Sequence, residues 1–418
     1  MAPGPFSVLA VNAGSSSIKF AVYRAGIELA PLLRGALHRI GLEGTTLSWD
    51  ESRGGRGQQE LKTSPREAAI ATLVDWLAGR AELGALGAVG HRIVHGMRHT
   101  DAIRLTADAI VELRQGTPYA PDHLPQELAL VETFHARFPD VAQVACFDTT
   151  FHSSMPRVAR LLPLPRRYQA KHLQRYGFHG LSYAYLLEEL ARVAGPQAAR
   201  ERLLLAHLGN GASLAAVHGG TSLDTTMGFT PAAGLMMSTR TGDLDPGVVS
   251  FLARTEGLSV AEFDRMINHE SGLLGVSGLS SDMRDLLARE ADDPRAAEAI
   301  ALFCYQARKW AGAFAAVLGG LDTLVFSAGI GERSAPIRAR ICQGLEFLGV
   351  ALDEARNAAH AAVISSDASR VTVRVIPTDE EVMIARSVAR VLGWTYTRED
   401  ETHDRTSHSA HDRPGSQD

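Results

Sequence analysis

Residues 8–22 read VLAVNAGSSSIKFAV. Two apolar β-type runs flank a tight turn that holds Ser15, Ser16 and Ser17, with Asn12 and Lys19 at its shoulders. Such a turn gathers backbone N–H groups, hydroxyls and an ammonium at one spot, which suits a polyanion such as a nucleotide phosphate. Asn12 adds an oxygen fit for a hard cation or its water shell. An ordinary hairpin with a polar turn reads the same way, because Gly and Ser are common there.

A second stretch tips the balance. Residues 203–217, LLLAHLGNGASLAAV, repeat the order of apolar strand, Gly/Asn/Ser turn and apolar strand, and Asn210-Gly211 is itself a hairpin signal. Two like hairpins so far apart predict an internal duplication, each half presenting one phosphate-facing turn. A third apolar strand, 323–328, runs into Gly329-Ile330-Gly331-Glu332, whose glycines allow close backbone approach to a ligand. The three elements together predict a nucleotide held between two similar domains.

The chain of 418 residues is long enough for two or three well-developed cores. Its net charge of −5 supplies no basic face for nucleic acid. The first residues lack a cationic region followed by a long apolar stretch, so no secretory signal is expected. The longest apolar region, 310–330, is broken by Gly319-Gly320 and Asp322, and reads as helix, turn and buried strand rather than a membrane span. Cys146, Cys304 and Cys342 are widely spaced and fit a reducing cytoplasm.

Strands and helices alternate throughout, which predicts an α/β architecture with mixed sheets. Residues 53–59 read as an exposed hairpin tip or loop, and 65–77 as a helix with Ile70, Leu73, Val74 and Leu77 on its buried face. Residues 141–147 read as a strand ending at Asp148. A long helix is expected over 299–318, with Phe303, Trp310, Phe314 and Val317 as its buried stripe. Near the C-terminus, Thr378 and Glu381 have capping-box spacing, which leaves Glu380 as the unspent carboxylate at a helix start. Beyond about residue 398 the chain is polar and aperiodic, and its His403, His408 and His411 read as part of a solvated, disordered tail.

Four further segments carry chemistry out of proportion to packing: GHRIVHG at 90–96, FDTTFH at 147–152, RYGFHG at 175–180 and STRTGDLDP at 238–246. Each has a bland reading, as a surface arginine, a helix-capping aspartate or a satisfied core histidine. Set beside the phosphate-type turns, two arginines, a histidine and an aspartate suit phosphoryl transfer, which needs charge neutralisation and positioning above all.

With VNAGSSSIKF, HLGNGAS, SAGIGE and PTDEE these make eight motifs in order, and the chain from about residue 8 to 392 resembles the acetokinase family of the acetate and sugar kinase/Hsp70/actin superfamily. The resemblance implies two duplicated ribonuclease H-like (actin-like ATPase) domains with mixed sheets and an interdomain cleft. The first would be 1–152 with a C-terminal helix at 380–397; the second, nucleotide-binding domain would be 153–379. It implies reversible in-line phosphoryl transfer from ATP to acetate or another short carboxylate, with Mg2+ or Mn2+, in a cytoplasmic homodimer free of nucleic acid and membrane.

Residue by residue, the resemblance implies Asn12 and Glu380 around the metal, and Arg92 on the substrate carboxylate, with Val94, His123, Phe178 and Pro231 about it. Asp148 would be the catalytic carboxylate, with His179 and Arg240 on the transferring phosphoryl. Lys19, His207, Leu208, Gly209, Asn210, Gly211, Asp282, Met283, Arg284, Gly329, Ile330, Gly331, Glu332 and Arg333 would contact ATP. Acetate has a pKa near that of a Glu side chain, roughly 4.3, and arrives ionised. No proton leaves the nucleophile, so Asp148 is expected to organise the metal, its water or Arg240 rather than act as a base. Two departures stand out: Asp122 replaces an apolar residue of the acyl pocket, and Arg333 stands where the family commonly has Asn. Three other readings remain: a kinase for propionate or another short acid, an ATP-binding regulator without acyl kinase activity, and a sugar kinase.

Overall fold

The opening stretch forms the hairpin at the centre of the first sheet. β1 (Ser7–Ala13) and β2 (Ser17–Arg24) pair antiparallel with Asn12 opposite Lys19. The computed structural model describes residues 6–14, 17–25, 29–41, 43–61 and 65–394. Ser15 and Ser16 of the turn, and the tail with its three histidines, lie outside the described residues. The chain divides into two compact units, 1–148 with 379–418, and 149–378.

In the first unit, β3 (Ala30–His38), β4 (Thr46–Glu51) and β5 (Arg56–Glu60) extend the hairpin as an antiparallel meander. The expected loop at 53–59 is therefore a hairpin tip that runs into edge strand β5. On the other side come β6 (Leu86–Ile93), β7 (Ile103–Arg104) and β8 (Ala142–Phe147), giving the order β5-β4-β3-β2-β1-β6-β8-β7. β1 lies parallel to β6, and β6 to β8. Every residue of β1 is buried, as a strand covered on both faces requires. Leu9, Val11 and Val89 meet Leu73, Val74 and Phe134 from the helices Arg66–Ala78 and Leu124–Arg137. The helix Glu380–Val391 packs on the opposite face, against β1 and β6. Its approach needs Gly90: a Cβ there would stand 2.5 Å from Ile384 and 2.6 Å from Val388.

In the second unit, β9 (Leu203–Leu208), β10 (Ala212–His218), β11 (Thr221–Thr225), β12 (Thr323–Ser327) and β13 (Thr372–Val375) take the order β11-β10-β9-β12-β13. The first three are antiparallel, and β9, β12 and β13 run parallel. The run β3-β2-β1-β6-β8 has the same order and the same senses, so the duplication expected from two hairpins is present in topology. This is the duplicated mixed-sheet architecture of the ribonuclease H-like class.

The helix Pro294–Leu318 is packed through Phe303, Ala307, Ala311, Phe314 and Leu318. Its buried face is centred on small alanines, so a stripe drawn through the large residues alone falls at its edge. Val317 is accordingly 47% exposed, which corrects its assignment to the core. Gly319 and Gly320 then turn the chain into β12 at positive φ. Among the described residues no helix is long and apolar enough to cross a membrane.

Candidate active site

In the first unit the site begins at the C-terminal end of β6. Alternation along the strand places Arg92 beside buried His91 and Ile93. Arg92 Nε donates to Asp148 Oδ2 at 3.0 Å, Nη2 donates to the same oxygen, and Nη1 donates to the Ala13 carbonyl at 3.0 Å. Asp148, directly after β8, is 1% exposed. A guanidinium has five N–H donors, so among the described residues these three bonds leave two, one on each Nη. Burial pulls the Arg92 pKa down, but the carboxylates of Asp148, Glu380 and Glu127 outweigh it and hold the guanidinium firmly charged. Asp148 thus fixes Arg92, a pairing outside the expectation that it organises the metal, its water or Arg240.

Val94, two residues on, is buried, and its N–H donates to Glu127 Oε2 at 3.0 Å. His123 occupies the N-cap position of the helix Leu124–Arg137, half-buried, with half-buried Asp122 before it. Lys19 is exposed opposite Asn12.

The start of the helix Glu380–Val391 differs from expectation. Its N-cap is Asp379, whose Oδ1 accepts the Val382 N–H at 3.0 Å. Arg34 donates to the other oxygen at 2.6 Å and Tyr23 to the first at 3.4 Å, so two neighbouring strands fix the cap. Thr378 instead shares a hydrogen bond of 2.9 Å with Ser182, and the expected Thr378–Glu381 capping box is absent. Glu381 is thereby released to Asn12, whose Nδ2 donates to Glu380 Oε2 at 2.8 Å and Glu381 Oε1 at 3.0 Å. Burial and the charge of Glu380 raise the Glu381 carboxyl above the usual range.

Two carboxylates on one amide form an oxygen-rich corner that a hard cation would relieve, and a half-turn of the Asn12 amide offers Oδ1. Among the described residues no group of three or more His, Cys, Asp or Glu assembles a full protein cage. Mg2+ fits such a corner, because it keeps several waters and shares its shell with substrate phosphates.

In the second unit His179 and His207 stack with ring centroids 4.0 Å apart. His179 precedes the helix Gly180–Ala194 in the left-handed region, φ 60°, an uncommon conformation for a residue with a Cβ. Its Nδ1 meets Ser213 Oγ at 2.8 Å, and that hydroxyl meets Tyr183 at 2.5 Å. His207, at the end of β9, has Nδ1 2.8 Å from Ser182 Oγ. Both rings are thus oriented through Nδ1, and a Cβ at Gly211 would stand 3.0 Å from His179 Nε2 and 3.8 Å from Arg240 Nη1. The 207–211 turn therefore brings bare backbone against an imidazole and a guanidinium. Arg240 is half-buried, with Nη1 3.4 Å from the Pro231 carbonyl. Phe178 is buried, and its carbonyl accepts from His152 Nε2 at 3.0 Å. Burial lowers the His152 pKa to about 4, so this imidazole is neutral and structural.

The remaining nucleotide candidates differ in kind. Gly329, Ile330 and Gly331 lie in the short helix Ala328–Arg333 after β12. Glu332 Oε1 accepts the N–H groups of Ala328 at 2.8 Å and Thr378 at 3.1 Å, which makes it the brace of that turn. Arg333 is exposed. Asp282 caps the helix Met283–Arg289 and pairs with exposed Arg284, while Met283 is buried. Leu208 is core, and Asn210 is exposed at the turn with its carbonyl accepting from Ser238 at 3.2 Å. The residues that sequence reading missed are Glu381, Glu127, Ser182, Ser213 and Tyr183. Ser213 lay within the HLGNGAS motif; nothing in the sequence marked Glu127.

The family model described as the acetokinase family matches residues 7–386. A propionate kinase of Citrobacter rodentium is 42% identical over 392 residues, covering 92% of this chain and 96% of that one. An acetate kinase of Rhodopseudomonas palustris is 43% identical over 391 residues, 92% of this chain and 98% of that one. The crystal structure of Porphyromonas gingivalis acetate kinase superposes with a TM-score of 0.82 at 36% identity, covering 93% of this chain and all of that one.

Proposed function

The chain belongs to the acetokinase family, whose reaction is phosphoryl transfer between ATP and acetate, and on that premise we propose that it makes an acyl phosphate from a short carboxylate. The observation that carries this reading is Arg92: clamped by Asp148 and Ala13, with one N–H left on each Nη, and followed by buried Val94. A fixed guanidinium with two donors to spare is matched to a carboxylate, and a small apolar neighbour is matched to its alkyl end.

The acid arrives ionised, so the chemistry needs no general base. One carboxylate oxygen forms a bond to the γ-phosphorus as the bond to the β,γ-bridging oxygen breaks, and the electron pair leaves with ADP. The obstacle is bringing one anion onto another. Arg92 holds the acceptor, and Arg240 with His179 takes the charge of the transferring phosphoryl. Ser213 and Tyr183 keep His179 in place, so little reorganisation is needed as charge develops. Asn12, Glu380 and Glu381 would hold Mg2+, or Mn2+ in its place, which supplies neutralisation of the nucleotide phosphates.

Acetate is the first acceptor to expect. The similarity to a propionate kinase favours propionate as the second, since one methylene in an apolar pocket is worth only about 1–3 kcal/mol. Three free, buried cysteines support a cytoplasmic setting. Neither an ATP-dependent regulator nor a sugar kinase explains Arg92: the first has no acyl acceptor, and a sugar hydroxyl would call for a base. The test is ADP release from Mg-ATP and acetate in wild type and Arg240→Ala. The variant is expected to lose at least about a hundredfold in kcat with little change in ATP KM. A kcat within tenfold of wild type removes Arg240 from its role.

A further inference from the structure

Glu127 belongs to no motif, yet it is 4% exposed on the face of its helix that meets β6. One oxygen accepts the Val94 N–H at 3.0 Å; the other, Oε1, has no hydrogen-bond partner among the described residues. A buried carboxylate with one oxygen unmet is costly to ionise. The charged groups that act on it are Arg92 on β6, Asp148 after β8 and Arg66 on the helix Arg66–Ala78. His91 and His95, on and just after β6, are held neutral by burial, each with a pKa of about 4.

Arg92 is thus one cation facing three carboxylates, Asp148, Glu380 and Glu127, before any substrate arrives. Asp148 is committed to it by two hydrogen bonds, and Glu380 is engaged with Asn12. Glu127 makes its bond through a neutral backbone N–H, which an uncharged carboxyl can still accept. Resting on the acyl-kinase reading above, we propose that Glu127 is a positioning residue of the carboxylate site, which fixes the Val94 end of β6 and, when ionised, competes with the substrate for the charge of Arg92.

Burial raises the Glu127 carboxyl to about 7, with Arg92 and the Val94 N–H drawing it the other way. The group therefore changes charge within the working range. Binding a carboxylate to Arg92 removes part of what stabilises ionised Glu127, so acceptor binding takes up a proton there. By reciprocity, protonation of Glu127 tightens acceptor binding. Acetate KM rises as pH climbs through neutrality, while ATP KM does not follow it.

The experiment uses the full chain as wild type, Glu127→Gln and Glu127→Ala, with acetate and Mg-ATP as probes from pH 6 to 8.5. Wild-type acetate KM is expected to rise at least about threefold across this range, and that of Glu127→Gln to stay level near the low-pH value. Glu127→Ala, which loses the acceptor for the Val94 N–H, is expected to raise acetate KM at every pH. A carbon-13 carboxyl titration of glutamate-labelled protein, with Glu127→Gln identifying the resonance, reads the same coupling without turnover. Its midpoint is expected near 7 and higher with saturating acetate. A Glu127→Gln variant that tracks the wild-type KM curve overturns the inference, as does a resonance unmoved by acetate. A wild type that binds ATP but makes no acyl phosphate fails the acyl-kinase reading instead. An acetate-dependent shift of the midpoint would still support the coupling in that case.

Discussion

Arg92 shows how much depends on donor geometry rather than charge alone. Lysine keeps the charge but has no planar fork, so it cannot both satisfy Asp148 and keep two further donors in the same plane. Arg92→Lys is expected to raise acetate KM by about tenfold or more, with ATP KM nearly unchanged; equal acetate KM in steady-state kinetics would refute the clamp. Glu127 makes a stability prediction of its own. Its folded pKa of about 7 lies above its ordinary value of 4.5, so the native state binds the extra proton between them. That contribution is present below about pH 4.5 and is lost as pH rises through 7. The gain in stability of Glu127→Gln over wild type should therefore grow from pH 5 to 8, toward an upper bound on the order of 3 kcal/mol, in denaturant melts at each pH. Arg92, His179 and Arg240 were legible because Gly-flanked motifs frame them. Glu127 and Glu381 were not: a helix residue gives no local sign of which distant strand will bury it, and the Glu381 spacing fitted a cap as well as a site.

Among the elements, the two hairpins were legible from alternation and turn residues, and both are present at the expected places. The helix Glu380–Val391 was legible in extent but not at its cap, because Arg34 and Tyr23, far away in sequence, make Asp379 the better N-cap. That helix carries Glu380 and Glu381 in its first turn and rests on Gly90. Gly90→Ala should push it away from β6, costing about 1–3 kcal/mol in denaturant melts and raising the Mg2+ needed for half-maximal rate. A stable variant with an unchanged Mg2+ requirement would show that the first turn is placed by something else. Glu380→Gln leaves the packing alone and removes one charge. It is expected to raise the Mg2+ requirement by about tenfold with a smaller effect on acetate KM, read from rates across a Mg2+ series. The long helix Pro294–Leu318 adds a general lesson, since its buried face follows alanines that a reading weighted to large side chains passes over.

At the scale of the molecule, three antiparallel and two parallel strands recur in the same order in both units, as two similar hairpins in the sequence suggested. The duplication was legible because each half keeps its first hairpin; the register of the outer strands β4 and β5 was not, since exposed polar edges carry little hydrophobic signal. The fold alone would serve a nucleotide switch or a sugar kinase equally well. What argues for an acyl phosphate is the clamped Arg92 of one unit and the Arg240–His179 set of the other. The most direct test is hydroxylamine trapping of acyl phosphate from Mg-ATP with acetate, propionate or butyrate at matched concentrations. Hydroxamate is expected in strict dependence on the acid, strongest with acetate and falling with chain length. Bound ATP with no hydroxamate from any of the three acids would contradict it.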